Sequence, residues 1–410
     1  MDELNMDDYD KEESGVQMFL GGQNMTVFTD NQNDPYITVE HPDDDSEQED
    51  AAINATDFVL IAGHTEQEYS SAEVHIFDKD RSAVYVHHDI VLPSFPLCMS
   101  YYSNGDAKSE ERRNYLAVGT FEPAIEIWDL DVVDAIEPVA ALGGREEPKP
   151  VQFSKKKKGK KRKSKKTKSL KEALLGKFKP GSHKQGVMGI SWSPHNKAYI
   201  ASGSADETVK LWDVPNTKCT STLKHHSGKV QAVEWNPVEV NILLTGGYDR
   251  QCACVDARDP KSVKRYQMDG EVQSISWNPL NAAIFAASSD TGAVAFYDVR
   301  KDGSQTKPLF TIGAHDGETS GVMFNSRHRH MLASCGVDES IKIWDLSSKP
   351  VCIERKDLKI GKLFAMTFNG EDPDVIAAGG SGGKIAIWDI MESSAMRSAY
   401  GASRSKPTKK

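Results

Sequence analysis

The stretch HKQGVMGISWSPHNKAYIASGSADETVKLWD, residues 183–213, holds three short strand-like runs separated by two turns. From Val187 to Trp192 apolar residues alternate with small or polar ones, as on a strand buried on one face. Ser193-Pro194 then stops the run. A second run, Ile200-Ala-Ser-Gly203, leads into the polar turn at Ala205-Asp-Glu207, and a third closes on Trp212-Asp213. Apolar residues at helical spacing are nearly absent from this stretch and from the chain.

The same ending recurs as Phe77-Asp78, Trp128-Asp129, Trp212-Asp213, Val255-Asp256, Tyr297-Asp298, Trp344-Asp345 and Trp388-Asp389. Successive aspartates lie 51, 84, 43, 42, 47 and 44 residues apart. Five of the six intervals lie near the ~40–45-residue period of a propeller blade. The long one contains a lysine-rich insertion. An inner phase runs in step: Ile190-Ser-Trp192-Ser-Pro194, Val233-Glu-Trp235-Asn-Pro237 and Ile275-Ser-Trp277-Asn-Pro279, continued by Phe324 and Phe368. Each inner run is followed by a second strand: Leu243-Leu-Thr-Gly246, Ile284-Phe-Ala-Ala287, Leu332-Ala-Ser-Cys335 or Ile376-Ala-Ala-Gly379. Every tryptophan falls in one of these two phases. Seven endings predict an all-β, seven-bladed β-propeller over residues 23–393. An acidic, disordered segment (1–22) would precede it and a basic tail (394–410) follow.

These residues resemble a WD-repeat propeller. In that family a histidine before the first strand, a serine or threonine in the second, an aspartate in the next turn and the tryptophan form one hydrogen-bonded chain per blade. The resemblance assigns that role to His183, Ser202, Asp206 and Trp212, and again to His315, Ser334, Asp338 and Trp344. A third set has His226, Thr245 and Asp249 but Val255 in the tryptophan position. The other four blades lack most of the set and are expected to be looser or held by packing alone. Closing the ring removes an open sheet edge. Pro35-Tyr-Ile-Thr-Val39 is the expected leading strand of the first blade. Met25-Thr-Val-Phe28 is the expected outer strand of the last, with residues 396–402 as its rival.

The 410 residues are 38% hydrophobic and contain no apolar run long enough to span a bilayer. The acidic first thirty residues, with Lys11 alone among them, predict neither signal nor transit peptide. Six scattered cysteines make no disulfide framework, so a reducing, intracellular compartment is expected. Recurrence of Ser, His and Asp at fixed spacing assigns them to the repeat and not to a catalytic triad. Cys252 and Cys254 have no second pair at metal-ligand spacing, and Gly379-Gly-Ser-Gly-Gly-Lys384 lacks the serine or threonine of a phosphate loop. No enzyme, cofactor or small-molecule substrate is expected.

Charge is strongly segregated within a net of −10. Residues 1–57 hold seventeen acidic residues against Lys11, including an acidic loop at about 41–56. Ser46 stands there in Asp-Asp-Asp-Ser-Glu-Gln-Glu, a candidate phosphorylation site for acid-directed kinases. An insertion at about 142–182 carries Lys155, Lys156, Lys157, Lys158, Lys160, Lys161, Arg162, Lys163, Lys165, Lys166 and Lys168. Such a run buries nothing and repels itself, so it reads as a disordered arm for nucleic acid or nuclear import. Leu170, Ala173, Leu174 and Phe178 have the spacing of a short helix across Ser169 to Lys179.

The acidic head, Glu73-Val-His-Ile-Phe77, Val86-His-His-Asp-Ile90, Ile125-Glu-Ile-Trp-Asp-Leu-Asp-Val-Val133, Glu137-Pro138 and the lysine insertion together resemble the periodic tryptophan protein 1 family. The resemblance covers residues 34 to about 401. It implies a nuclear, nucleolar WD-repeat scaffold in ribosome biogenesis, acting in large-subunit precursor assembly and ribosomal RNA processing. Its partners would be pre-ribosomal RNA, ribosome assembly factors and ribosomal proteins, with no membrane role. The alternative is a chromatin adaptor at ribosomal RNA genes that reads histone tails or recruits modifying enzymes. A ubiquitin-ligase substrate receptor gains no support from any residue.

Overall fold

The computed structural model describes residues 57–401 except 68, 80, 82, 105–112, 134, 147–175 and 302–306. They form seven antiparallel sheets, five of four strands and two of three, each in simple sequence order. These are the blades of a seven-bladed β-propeller. Blade 3, for example, comprises Val187–Trp192, Tyr199–Ser204, Val209–Asp213 and Lys218–Leu223. Blade 4 comprises Val230–Trp235, Ile242–Gly247, Gln251–Asp256 and Asp259–Gln267, and blade 6 Gly321–Phe324, Met331–Cys335, Ser340–Asp345 and Val351–Asp357. The Trp-Asp phase closes the third strand of blades 2 to 7, and the Ile-Ser-Trp phase closes the innermost of blades 3 to 7.

The core lies in the wedges between blades. Ile125 and Ile127 of blade 2 pack with Val187, Trp192, Ile200 and Trp212 of blade 3 in one cluster. Cys252 and Cys254 face the wedge towards blade 5, while Ala253 and Val255 between and beyond them face blade 3. A strand buried on both faces reads as continuously apolar, which is why Cys-Ala-Cys-Val looks unlike an alternating strand. Burial raises both thiols, Cys254 to about 11, as suits small hydrophobes and not metal ligands. The six cysteines are free.

The Asn-Pro and Ser-Pro turns do more than stop the inner strands. Asn236 donates from Nδ2 to the Ala282 carbonyl at 2.8 Å, Asn278 to that of Arg329, and Asn325 to that of Pro373. His195 Nε2 lies 3.2 Å from the Asn236 carbonyl. Each turn is thereby tied to the blade after it, from blade 3 to blade 7.

Blade 1 has Phe58–Glu66, Tyr69–Asp78 and Ala83–Leu92; since Phe77-Asp78 ends the second of these, the innermost position is the one left open among the described residues. Blade 7 has Leu363–Phe368, Val375–Gly380 and Ile385–Asp389 and lacks the outer strand. The segments expected to fill both positions, 25–28 and 35–39, lie outside the described residues, as do Ser46 and the acidic loop. The rival of 25–28 for the outer strand, residues 396–402, is excluded through residue 400: Ser394–Tyr400 is an α-helix, not a strand. Met396 anchors it in the cluster of Trp388, Ile390 and Met391, so these residues belong to the folded body and not to a tail. Among the described residues no helix is long and apolar enough to cross a membrane.

Candidate functional site: blade networks, neck and channel wall

Ser202 sits at the centre of the blade 3 network. Its Oγ is 2.8 Å from His183 Nε2 and accepts a 2.8 Å bond from Trp212 Nε1. His183 Nδ1 lies 3.2 Å from Asp206, whose carboxylate also accepts from Thr208 Oγ1 at 2.6 Å. Blade 6 repeats the arrangement: His315 Nε2 to Ser334 Oγ 2.8 Å, Trp344 Nε1 to the same oxygen 3.0 Å, and His315 Nδ1 to Asp338 2.8 Å. The distances are those of a hydrolytic triad. Yet Ser202 and Ser334 are wholly buried, and each hydroxyl already accepts an indole N–H. No substrate can reach either oxygen.

Blade 4 reveals a residue that the repeat pattern does not mark. His226 lies 2.8 Å from Thr245 Oγ1 and 3.0 Å from Asp249, and where tryptophan is missing His225 Nε2 stands 2.9 Å from the same hydroxyl. With its Nε2 as donor, His225 replaces the indole. The only signal was an adjacent pair of histidines, and a pair does not say which one points inward.

These networks set an acid sensitivity. Burial, then the neighbouring His226 and Arg265 charges, push His225 down to about 3. Burial also lowers His183 and His315 against the pull of their aspartates. Burial alone would raise Asp338, but its bonds from His315 and Ser340 outweigh this and hold it near about 2. An unfolded histidine titrates near ~6.5, so below that pH the unfolded chain takes up protons that the native networks refuse. Stability is therefore full above pH ~6.5 and falls as pH drops, by up to ~1.4 kcal/mol per pH unit for each such histidine, in the case of His225 down to about 3. Denaturant midpoints between pH 7 and 4 should decline, and His225→Gln should make the decline shallower. A flat profile would contradict the buried, neutral state of these rings.

Three of the other four blades show other devices. Trp128 Nε1 donates to Glu126 at 3.2 Å in blade 2. In blade 5, Tyr297 stacks on Phe285 at 5.0 Å and donates to the Gln267 carbonyl at 2.7 Å. Lys356 of blade 6 sits 4.7 Å from the Trp388 ring centroid of blade 7. In blades 2, 5 and 7 the aromatic residue of the Trp-Asp phase thus has another polar or cationic partner in place of the histidine chain.

The eleven basic residues from Lys155 to Lys168 lie outside the described residues, but the feet of their insertion do not. Ala140–Gly143 is the outer strand of blade 2, so the chain leaves the sheet later than the spacing suggested. Glu146 N then bonds to the Lys177 carbonyl at 2.7 Å and Lys179 N to that of Gly144 at 3.0 Å. Arg145 pairs with Phe178 in a β-bridge and lays its guanidinium 4.1 Å from the ring centroid. Residues 176–179 are therefore one side of a zipped neck, and the helix expected over 169–179 does not extend into them. Phe178 is spent on Arg145, where the helical spacing had placed it beside Leu174.

The inner strands carry a further pattern. A side chain on one blade accepts the backbone N–H of the aromatic residue on the next. Ser100 takes Trp192 at 3.0 Å, Ser191 takes Trp235 at 3.2 Å and Ser276 takes Phe324 at 3.3 Å. In blade 4 the acceptor is a carboxylate: Glu234 Oε2 receives Trp277 N at 3.0 Å. Burial pushes the Glu234 carboxyl up to about 8, with the Trp277 bond opposing.

The fold and its repeated network define a WD-repeat β-propeller. Residues 174–213, 217–256 and 306–345 match the WD domain, G-beta repeat family, and these are the three blades that hold the histidine networks. The chain is 31% identical over 365 residues to the periodic tryptophan protein 1 homolog of Drosophila melanogaster, covering 88% of this chain and 73% of that one. An uncharacterized WD repeat-containing protein of Schizosaccharomyces pombe is 32% identical, covering 97% and 75%. Periodic tryptophan protein 1 of Saccharomyces cerevisiae is 28% identical, covering 97% and 76%. The chain belongs to the periodic tryptophan protein 1 family.

Proposed function

We propose that the chain is a non-enzymatic scaffold of the nucleus and nucleolus that works in ribosome biogenesis, in large-subunit precursor assembly and ribosomal RNA processing. The propeller docks assembly factors and ribosomal proteins, and the arm from Lys155 to Lys168 holds precursor RNA. The observation that carries this reading is the neck. Both ends of the insertion are clamped together, so the lysine run leaves a rigid body as one closed loop. A loop of this kind neutralises phosphates by releasing their counterions and reads no sequence. The run from Lys155 to Lys168 has no aromatic residue with which to stack on bases.

Ultraviolet crosslinking with sequencing of the bound RNA tests it. Intact protein is compared with a variant in which residues 155–168 are Gly/Ser and an added import signal restores delivery. Crosslinks should cluster on large-subunit precursor RNA and fall at least ~tenfold in the variant. For single-stranded RNA, binding in vitro should weaken with salt at a log–log slope of roughly −0.7 per phosphate contacted. Crosslinks that persist unchanged would move the RNA site to the propeller. No ribosomal RNA above background, with release by DNase, would replace this reading with the chromatin adaptor.

A further inference from the structure

The inner strands of blades 3 to 7 line a cavity of about 300 Å³ along the propeller's channel, walled by Met188, Ile190, Val233, Val322 and Met366 and by the polar side chains of Gln231, Gln273 and Glu234. Glu234 is anomalous there. Serine performs its backbone-binding task in three other blades at no cost in buried charge. A carboxylate at this position carries a desolvation penalty that the fold does not require. Glu234 lines the cavity, and the bond from Trp277 N–H engages only its Oε2. Gln231 adds a second signal from the same strand: its Oε1 is buried with no hydrogen bond. Two residues that line one cavity thus carry an acceptor oxygen without a donor, a costly arrangement unless something supplies one.

We propose that the channel binds a single cationic side chain, lysine or arginine, presented by a basic segment of a partner protein, with Glu234 as its counter-ion and Gln231 as a hydrogen-bond acceptor. The apolar wall suits the aliphatic stem of such a side chain, which covers hydrophobic surface while its head reaches a charge. A bare metal ion is a poor fit, because no group of three metal-ligating residues occurs among the described residues. Carboxylates gather at the rim where the blade 5 inner strand begins, Glu271 standing immediately before Val272. Glu271, Glu318 and Asp290 lie close enough to act on the Tyr248 hydroxyl, while Lys229 lies 5.8 Å from the Tyr248 ring centroid. This rim attracts a basic peptide and repels a polynucleotide. Phe364, 59% exposed at the cavity, gives the peptide an apolar surface. The inference goes beyond the RNA-anchoring reading and stands or fails without it, since no step uses the lysine arm.

The test uses the full chain and fluorescein-labelled nonapeptides with randomised flanks, the central residue fixed as arginine, lysine, citrulline or norleucine. Anisotropy at near-physiological salt should show an arginine- or lysine-centred pool binding at least ~tenfold tighter than both neutral pools, and Glu234→Gln and Glu234→Ser should abolish the preference. Glu234→Ser keeps an acceptor for Trp277 N–H, so its melting temperature should equal or exceed that of the parent chain. Binding should also release a proton from Glu234, seen as an enthalpy that varies with the ionisation heat of the buffer. Equal binding of all four pools, or a preference that survives both substitutions, overturns the proposal. So does a fall in melting temperature in both variants with the preference intact, because Glu234 would then serve the fold alone.

Discussion

Trp212→Ala should destabilise the propeller by about 3–5 kcal/mol, the range for truncating a large buried aromatic. Trp212 is 1% exposed and fills the wedge between blades 2 and 3 beside Ile127, Trp192 and Ile200. It also abuts Gly143 at the base of the neck, where a methyl on that glycine would come within 2.9 Å of the ring. Two losses therefore combine: a cavity opens in the wedge, and Ser202 loses the indole N–H while still held by His183. Trp212→Phe separates them. It retains most of the volume and should cost about 1–3 kcal/mol, much of it the unsatisfied polar centre. Trp128→Phe is the control, because Trp128 is as well buried but spends its N–H on Glu126, outside any histidine network. Denaturant midpoints for the four proteins decide the matter, with hydrogen exchange at Glu146 and Lys179 reporting on the neck. If Trp212→Phe is no worse than Trp128→Phe, the bond to Ser202 is worth no more than the Trp128 bond to Glu126, and the histidine network adds nothing beyond it.

The fold was legible because its physics repeats. Trp-Asp endings and Ile-Ser-Trp runs recur at one period, and each marks a strand end that the structure places in the corresponding position of successive blades. His183, Ser202, Asp206 and Trp212 were legible for the same reason, and the family match falls on the three blades that keep the histidine networks. What escaped were contacts made once. His225 stands in for an indole because valine at 255, in the tryptophan position, has no N–H to offer Thr245. The inter-blade bonds of Asn236 and Asn325 were visible as turn residues, but a turn signal does not say that the amide reaches the next blade. Glu234 reads as one polar residue in an alternating strand. Its oddity emerges only when Ser100, Ser191 and Ser276 are found at the same task. Chain ends were hardest, since the helix at Ser394–Tyr400 is specified by the burial of Met396 against blade 7 and not by its own short pattern.

The ring is gripped where blade 7 meets its neighbours, and Asp374→Ala should loosen that grip by about 3–5 kcal/mol, the penalty for removing one partner from a buried ion network. The Asp374 side chain is 1% exposed and accepts from Arg327 Nη1 at 2.6 Å and from His328 Nε2 at 3.0 Å, both on the inner turn of blade 6. Asn325 from that turn holds the Pro373 carbonyl at 2.5 Å. Two residues earlier Asp372 takes Lys79 of blade 1 at 2.7 Å and Arg327 at 3.1 Å. One tight turn thus joins three blades, including the first and the last. Burial alone would raise the Asp374 carboxyl, but the His328 bond and the Arg327 charge outweigh it and hold it below the usual range. Its contribution is therefore present above pH ~4 and lost as pH falls further. Lys79→Ala supplies the contrast. That side chain is 41% exposed, and an ion pair so open to solvent is worth at most ~1 kcal/mol. Thermal midpoints should rank Asp374→Ala far below Lys79→Ala, and Leu363–Phe368 and Val375–Gly380 should lose hydrogen-exchange protection first. Were the two variants equally stable, the apolar cluster of Trp388, Ile390, Met391 and Met396 would be what keeps blade 7 in the ring, and the network would be incidental to it.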